Sequence, residues 1–453
     1  MSSPAYPRYK HSGIELLGEL PEHWTLKRFK NVFEERAERS ADGLEELLSV
    51  SAYFGVKPRS ESRDEGDHLS RAESLEGYKV CHPGDLVINI MLAWNRGLGF
   101  SWQSGIVSPA YCVFHVTDGS SPKFLDYLVR SDECIRYFKT HSAGIMDSRL
   151  RLYPESFGRL FTAIPPTCEQ TQIARFLDHE TARIDALIEE QQRLIELLKE
   201  KRQAVISNAV TKGLDPMVPM KDSGVEWLGE VPAHWDVKRL KHLCSDIKAG
   251  PFGSALTKDM YVATGYKIYG QEQVIPGNFD IGDYYIDEER YASLRQYQVR
   301  SGDVLISCVG TFGKIAVVPE AVEPGIINPR LIRVRVNSFV SSQYLSTVLR
   351  SGVVFEQFSL LSRGGTMDVI NIGTLSEIDL ALPPLEEQLK VLLFITDQTR
   401  RFDNLVDQAF QGVELLQERR SALISAAVTG KIDVRGWQPP ASVQAPVLEA
   451  EAV

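Results

Sequence analysis

The sequence has no apolar run long enough to cross a bilayer. Its aliphatic stretches, such as Val391–Ile395, stop far short of the roughly 20 residues a spanning helix needs. The opening residues MSSPAYPRYK carry none of the apolar core of a secretory signal, so a cytoplasmic protein is expected. Cysteine is sparse: six residues, at 81, 112, 134, 168, 244 and 308, with no CxxC pair and no histidine at zinc-finger spacing. That pattern argues against a disulfide framework or a metal site and leaves free thiols. Positive charge is short as well. A formal net charge of -10 means that bulk charge attracts no polyanion, so any nucleic-acid surface has to be local and has to be named. Catalytic signatures are missing too: there is no GxGxxG, no HExxH and no nuclease-type carboxylate–lysine pattern.

What is present is a soluble globular composition, 43% hydrophobic and 24% charged over 453 residues, with a mean hydropathy of -0.16. That length calls for two or three domains. The chain is in fact written twice. SGIELLGELPEHWTLKRFKNVF (12–33) and SGVEWLGEVPAHWDVKRLKHLC (223–244) agree at 12 of 22 positions, including Pro21/Pro232, His23/His234 and Trp24/Trp235. Further on, Gly84-Asp85-Leu86-Val87-Ile88 matches Gly302-Asp303-Val304-Leu305-Ile306, and Gly144-Ile145-Met146-Asp147 matches Gly365-Thr366-Met367-Asp368. Ile164-Pro165-Pro166 matches Leu382-Pro383-Pro384, and ELLKEKRQAVISNAVTKGLD (196–215) matches ELLQERRSALISAAVTGKID (414–433). The middles, roughly 35–140 and 246–360, share only short patches.

Each copy begins with short apolar runs such as DLVINIML and DVLISCVG between turn residues, which predicts strands with long loops. After the Pro-Pro pair each turns helical. Thr167 with Gln170 fits a capping box at the first helix start, and Glu386 and Glu387 complement the dipole of the second. Ile184, Leu187, Gln191, Leu194 and Leu198 step by 3 and 4, as do Phe402, Leu405, Ala409, Gly412 and Leu416, with Gly213 and Gly430 as C-caps. Such a stripe also suits a helix packed on its own domain. Two matching rods favour pairing with each other. The expectation is therefore α+β: two α/β domains in tandem, each followed by a long helix, the helices forming an antiparallel coiled coil with pseudo-two-fold symmetry. The boundaries expected are 1–165, 166–213, 214–384 and 385–431, with a disordered tail at 432–453.

Two similar heads on antiparallel rods suit the local two-fold symmetry of double-stranded DNA, although the same geometry suits any rigid two-fold partner. The SGxExLGExPxHWxxKRxK opening, the GTFGK segment at 310–314 and the Pro-Pro…Glu-Gln helix starts resemble the specificity subunits of type I restriction–modification systems over about residues 12–433. The resemblance implies target recognition domains that each read half of an asymmetric bipartite site, with helical spacers that dock methyltransferase subunits. It also implies adenine methyltransferase subunits as partners, two of them, and restriction/translocase subunits. S-adenosylmethionine, ATP and Mg would then belong to those partners, and this chain would hold no cofactor and meet no membrane.

Two segments look catalytic and fail on inspection. Asn328-Pro329-Arg330-Leu331 lacks the second proline and the aromatic residue of an adenine methyltransferase loop. Gly310-Thr311-Phe312-Gly313-Lys314 has Cys308 and Ile315 where a phosphate loop needs Gly and Ser/Thr. The paired His-Trp dipeptides suit domain anchors better than stacking platforms. The Lys-Arg-x-Lys runs at 27–30 and 238–241 suit phosphate contact or plain solvation equally. Base readers are expected where the copies diverge, because a shared framework cannot encode two half-sites. In the first head the candidates are Lys57, Arg59, Arg63, Asn95, Arg96, Ser148 and Arg149; in the second they are Lys248, Ser254, Lys258, Lys314, Asn328, Arg330 and Arg363. The alternatives are a non-catalytic coiled-coil scaffold carrying two protein-interaction domains, or a stand-alone nuclease or methyltransferase.

Overall fold

The computed structural model describes residues 4–15, 17–52, 55–61, 74–146, 149–308, 314–361 and 370–439. The chain divides into two units, Met1–Gln191 with Gln411–Val453, and Gln192–Phe410. Both mix strands and helices.

The first unit opens with the hairpin β1 (Tyr9–His11) and β2 (Glu19–Pro21), then β3 (Thr25–Arg28) and β4 (Phe33–Glu35). Next come β5 (Leu48–Ser51), β6 (Gly55–Pro58), β7 (Lys79–Cys81), β8 (Leu86–Asn89), β9 (Leu98–Phe100), β10 (Gly105–Val107) and β11 (Tyr111–Val116). Helices α1 (Pro122–Val129), α2 (Asp132–Thr140) and α3 (Pro154–Arg159) precede β12 (Phe161–Ile164) and the long α4 (Thr167–Lys212). Four strands form an antiparallel sheet in the order β4-β11-β8-β9, while β5 pairs with β6, β7 with β10, and β3 with β12. All four residues of β8 are buried, as its unbroken apolar run requires of a strand covered on both faces. Ser121 and Ser131 accept the free amides of Phe124 and Cys134 and so start α1 and α2.

The second unit repeats this frame. It has the hairpin β13 (Met220–Asp222) and β14 (Glu230–Pro232), then β15 (Asp236–Arg239), α5 (Leu240–Leu243) and β16 (Cys244–Ala249). A middle section holds β17 (Tyr266–Tyr269), α6 (Gln271–Val274), β18 (Tyr285–Ile286) and α7 (Glu288–Ser293). After it come β19 (Val304–Ser307), β20 (Ile315–Val317), β21 (Gly325–Ile327) and β22 (Leu331–Val336). Helices α8 (Ser342–Leu349), α9 (Gly352–Leu361) and α10 (Ile372–Ser376), strand β23 (Asp379–Leu382) and the long α11 (Leu385–Val428) complete it. The sheet order β16-β22-β19-β20 reproduces the first unit's order strand for strand, and β15 pairs with β23 as β3 does with β12. The inserted strands do not match. β7 and β10 are antiparallel, whereas β17 and β21 run parallel, with β18 beside them. The frame is duplicated and the inserts are not.

The long helices show how a periodic pattern is resolved. The seam expected from the sequence is displaced by one residue at several steps. Leu187, Leu194 and Leu405 are exposed, while Ile184, Ile195, Phe402, Ala409 and Val413 are buried and Ile188 and Val406 half-buried. Within the first unit, Asp185 accepts both forks of Arg420 at 2.8 and 3.3 Å. Within the second, Arg202 meets Asp403 at 3.3 Å. In each unit an α4 segment thus lies beside an α11 segment. Both helices end on a glycine with φ of 75°, Gly213 and Gly430, and the Lys431 amide closes back on the Ala426 carbonyl at 2.8 Å.

Two expectations need correction. Gln170 does not complete a capping box, because it is buried and its amide is used elsewhere. Its Oε1 accepts from the Ser121 amide at 2.7 Å and its Nε2 donates to the Pro165 carbonyl at 2.9 Å. Gln388 does the same with Ser341 and Pro383, at 2.8 and 2.9 Å. The tail is not disordered from 432: Val434 is buried in the first unit's core, with Ile432 and Trp437 packed against it. Gln172 donates to the Trp437 carbonyl at 2.6 Å, and the Trp437 ring meets Phe176 edge-on at 5.3 Å. Apolar side chains and satisfied carbonyls hold that segment down; 440–453 lie outside the described residues.

Among the described residues, no helix is long and apolar enough to cross a membrane, and no group of His, Cys, Asp and Glu is placed to hold a metal. All six cysteines are free. Burial pushes the Cys81 and Cys112 thiols up to about 11 and those of Cys134 and Cys244 to about 12, and Cys308 is raised as well. Cys168 alone is exposed. A chromogenic thiol reagent near neutral pH is therefore expected to titrate one thiol quickly in the native protein and all six only after denaturation. Rapid release of several equivalents from the folded chain would contradict the packing described.

Candidate nucleic-acid interface

In each unit, backbone hydrogen bonds gather the diverging loops at one end of the four-stranded sheet. In the first, Leu152 donates to the Ile90 carbonyl at 2.9 Å, tying the segment before α3 to the loop that leaves β8. In the second, Ile370 donates to Cys308 at 2.9 Å in the same register, Cys308 donates to the Arg330 carbonyl at 2.9 Å, and Gly250 to that of Leu331 at 2.9 Å. Four segments therefore converge there: the loops leaving β16 and β19, the turn entering β22, and the approach to α10. A Cβ on Gly250 would lie 1.8 Å from the Asn328 carbonyl oxygen, so this crossing needs glycine.

The sequence-derived candidates distribute unevenly around these ends. In the first unit Lys57, on β6, and Arg59, just after it, are exposed. Asn95 is exposed on the loop between β8 and β9, and Arg149 on the segment bonded to that loop's base. Arg96 is held by the fold. In the left-handed conformation at φ 62°, it donates to the Arg130 carbonyl at 2.6 Å and pairs with Asp132. In the second unit Ser254 and Lys258 are exposed on the segment after β16, Lys314 at the entry to β20, and Arg330 at the entry to β22. Lys248 lies half-buried on β16, two residues before Gly250, on the strand's face opposite Ile247. Asn328 is a turn residue: its Oδ1 accepts from the Arg330 amide at 2.9 Å, and its amide nitrogen would lie 2.5 Å from a Cβ on Gly270. Arg63, Ser148 and Arg363 lie outside the described residues, as does 309–313 of the GTFGK region.

Sequence reasoning missed two groups. The first is an exposed apolar rim: Met91 and Leu92 on the β8–β9 loop, with Ile145 and Met146 on the segment before α3. The only sequence signal was apolar residues inside polar loops. The second is cationic: Arg333 and Arg335 share one face of β22 across from Asp246 and Lys248 on β16. The alternation LIRVRV carried that signal, because a period of two places both arginines on the face opposite Ile332 and Val334.

The paired tryptophans are anchors. Trp24 and Trp235 are fully buried, and Gly430 and Gly213 pack against them at the ends of the long helices. In the first unit Glu169, almost fully buried, accepts from Trp24 Nε1 at 2.9 Å, from Tyr6 Oη at 2.6 Å and contacts His23 Nε2 at 2.7 Å. In the second, Glu387 retains only the histidine contact, His234 Nε2 at 2.8 Å, and Trp235 Nε1 has no acceptor among the described residues. The Glu-Gln dipeptide that opens each long helix is thereby explained: the glutamate faces the His-Trp anchor and the glutamine ties the helix to the sheet-covering helices.

Known proteins resemble this chain in sequence and in fold. A family model described as the type I restriction modification DNA specificity domain matches residues 232–408. The chain is 25% identical over 366 residues to the type I restriction enzyme MjaVIII specificity subunit of Methanocaldococcus jannaschii, covering 78% of this chain and 81% of that one. It is 21% identical to the EcoBI specificity subunit of Escherichia coli, over 80% of this chain and 76% of that one. A solved structure concerned with assembly and conformational transition of a type I R-M system aligns with a TM-score of 0.65 at 18% identity, over 90% of this chain and 98% of that one. The HsdS subunit from Thermoanaerobacter tengcongensis aligns with a TM-score of 0.55 at 18% identity, covering 93% and 99%. The structural likenesses carry the fold, and the sequence matches carry the resemblance: residues 232–408 match the type I restriction modification DNA specificity domain, and most of the chain is similar to type I specificity subunits.

Proposed function

We propose that this chain is the non-catalytic DNA-reading subunit of a cytoplasmic methyltransferase/restriction complex, each unit reading one half of an asymmetric bipartite double-stranded target. The observation that carries this reading is the split between frame and loops. Two units with the same sheet order present different loops at the same sheet end. A shared frame with different reading loops is what two unlike half-sites require. Exposed Asn95, Arg149, Lys314 and Arg330 at or beside those ends, with exposed Lys57 on β6, are of the types that bond base edges or phosphates.

The long helices would pair as an antiparallel coiled coil and fix the unread spacer between half-sites. The Asp185–Arg420 and Arg202–Asp403 pairs favour that pairing, since both fall in one antiparallel register. Two adenine methyltransferase subunits would dock on the helices and bring S-adenosylmethionine, with restriction/translocase subunits bringing ATP and Mg. The start of α11 exposes Leu385, Leu389 and Leu393 along one side, with Phe394 exposed about 100° further round from Leu393. The tail around Trp437 covers Phe176, which stands at the matching place on α4, so this apolar side suits a methyltransferase helix as its occupant.

Single-molecule methylome sequencing of a host expressing the chain with its methyltransferase subunit tests the reading. Methyladenine at one asymmetric bipartite motif is expected, lost on deletion of this gene. Replacing residues 35–140 by the corresponding block of a relative should change only one half-site. A formed complex without gene-dependent methylation would sink the proposal and favour a scaffold.

A further inference from the structure

The second unit carries a small cationic cleft. On β16 and β22, Ile247, Ile332 and Val334 face the main core. On the opposite face a cavity of about 170 Å³ is lined by Lys248, Arg295, Arg300, Arg333 and Arg335, with Asp246 at its edge. Two of these cations are bound by the fold. Arg335 forks onto the buried Asp303 at 2.8 and 2.8 Å, and Arg333 pairs with Asp246. Lys248, Arg295 and Arg300 have no carboxylate partner among the described residues. Five cations against Asp246 and Asp303 leave a surplus of three positive charges around one small space.

The first unit separates what the fold needs from what is added. Asp85, in the register of Asp303, is also buried and takes both forks of Arg36 at 2.8 and 3.1 Å, so one arginine–aspartate pair belongs to the frame. Beyond that pair, the described charges on the matching strands of the first unit are paired: Lys79 meets Glu35 at 3.1 Å, His82 meets Glu38 at 2.9 Å, and Arg36 also reaches Glu38 at 3.9 Å. Val113 and His115 stand at the strand positions of Arg333 and Arg335. The surplus of the second unit therefore serves no folding purpose that the first unit shares.

The surroundings also prepare the cleft for an anion. The Arg333 side chain is 3% exposed, and its Nε has no hydrogen-bond partner among the described residues. Burial, and then the neighbouring Arg335 charge, push the Arg333 guanidinium below its ordinary range against the opposing pull of Asp246 and Asp303. Arg295 and Arg300, on the segment between α7 and β19, have no carboxylate partner among the described residues, and a guanidinium fork of that kind matches phosphate oxygens. A space this small lies well under the roughly 300–1,000 Å³ of pockets that enclose whole small-molecule ligands, so one phosphate group suits it better than a nucleotide.

We propose that this cleft holds a phosphodiester of the DNA backbone, giving the second unit a sequence-independent grip that the first lacks. The proposal rests on the DNA-reading function above and adds a division of labour to it. A phosphate contact positions the protein and carries no base information, so its removal weakens binding on every sequence alike.

The test is a triple variant, Lys248→Ala with Arg295→Ala and Arg300→Ala, in the full chain co-purified with its methyltransferase subunit. Binding to duplex DNA carrying the methylated motif is titrated over a salt series. The slope of log affinity against log salt is expected to become shallower by about 0.9 for each phosphate that the protein no longer neutralises. Affinity at low salt should fall about ten-fold or more, and the methylated motif should stay the same. Lys79→Ala in the first unit, where the charge is already paired, should leave the slope unchanged. An unchanged slope in the triple variant overturns the proposal, and so does a changed second half-site, which would mean base reading. If inorganic phosphate raises the unfolding midpoint of wild type but not of the variant while the slopes agree, the site serves a free anion and the DNA assignment fails. Should the triple variant fall short of the wild-type midpoint, Arg300→Ala alone decides, since that side chain is exposed and has no carboxylate partner among the described residues. A wild-type complex that binds no DNA brings down the functional reading itself, a result distinct from all of these.

Discussion

Glu169→Ala is expected to destabilise the first unit by about 3 kcal/mol, whereas Glu387→Ala, at the matching position of the second, costs under about 1 kcal/mol. The residues are the same and their surroundings are not. Removing Glu169 strands the indole N–H of the fully buried Trp24 and the hydroxyl of the buried Tyr6, which have no other acceptor among the described residues. Burial, then the Glu169 hydrogen bond and charge, push the Tyr6 phenol well above its ordinary range, so it remains a donor that must be satisfied. Each stranded buried donor costs about 1–3 kcal/mol, partly offset by removing a carboxylate from the interior. In the second unit Met217 stands where Tyr6 does and is exposed, and Trp235 already lacks an acceptor. Truncating Glu387 takes away only its pairing with a half-exposed histidine. Hydrogen exchange of the β8 and β19 amides reads the two units separately. Equal loss of protection from both substitutions would refute this asymmetry.

Phe157→Ala is expected to cost about 3–5 kcal/mol, enough to leave the first unit partly unfolded if its total stability is ordinary. The ring stacks on Phe29 at 4.6 Å and 15°, and meets Phe114 at 5.2 Å and both Phe33 and Phe138 at 5.8 Å. The second unit fills the same place with aliphatic side chains, Leu375 at the position of Phe157 and Leu240 at that of Phe29. Phe157→Leu should therefore be tolerated at about 1.5 kcal/mol, as a substitution the frame already accommodates once. Denaturant midpoints of the two variants check both numbers. A leucine variant as damaged as the alanine would mean that the ring-on-ring geometry, and not the volume, holds this core.

The duplication was legible because both copies keep the residues that anchor the helices, above all His-Trp and Glu-Gln. Their task was not, since the bonds from Glu169 and Gln170 close over more than 40 residues of chain. The helix seam misled for a local reason. Leu187-Ile188, Leu194-Ile195 and Leu405-Val406 each offer two adjacent apolar side chains about 100° apart around the helix, and only the neighbouring helix decides which turns inward. Arg96 and Asn328 were reasonable readers by residue type, yet a left-handed turn and an Asx turn use their side chains. The cationic cleft stayed hidden for the opposite reason: Lys248, Arg295 and Arg335 are far apart in an acidic chain, and only strand pairing and one short loop unite them.

The frame has a hereditary consequence. Among the described residues, the strands that differ in topology between the units lie between β4 and β11 or between β16 and β22, and in each case those two strands are hydrogen-bonded neighbours, Phe33 beside Val116 and Cys244 beside Val336. The differing block thus leaves and rejoins the sheet at one place. Two genetic crossovers suffice to exchange it whole, and the incoming block must fit a single seam. Point substitution has to alter a recognition surface gradually while the molecule keeps working. A recombining population can instead exchange most of one in a single event, while the helices and anchors pass unchanged from parent to offspring.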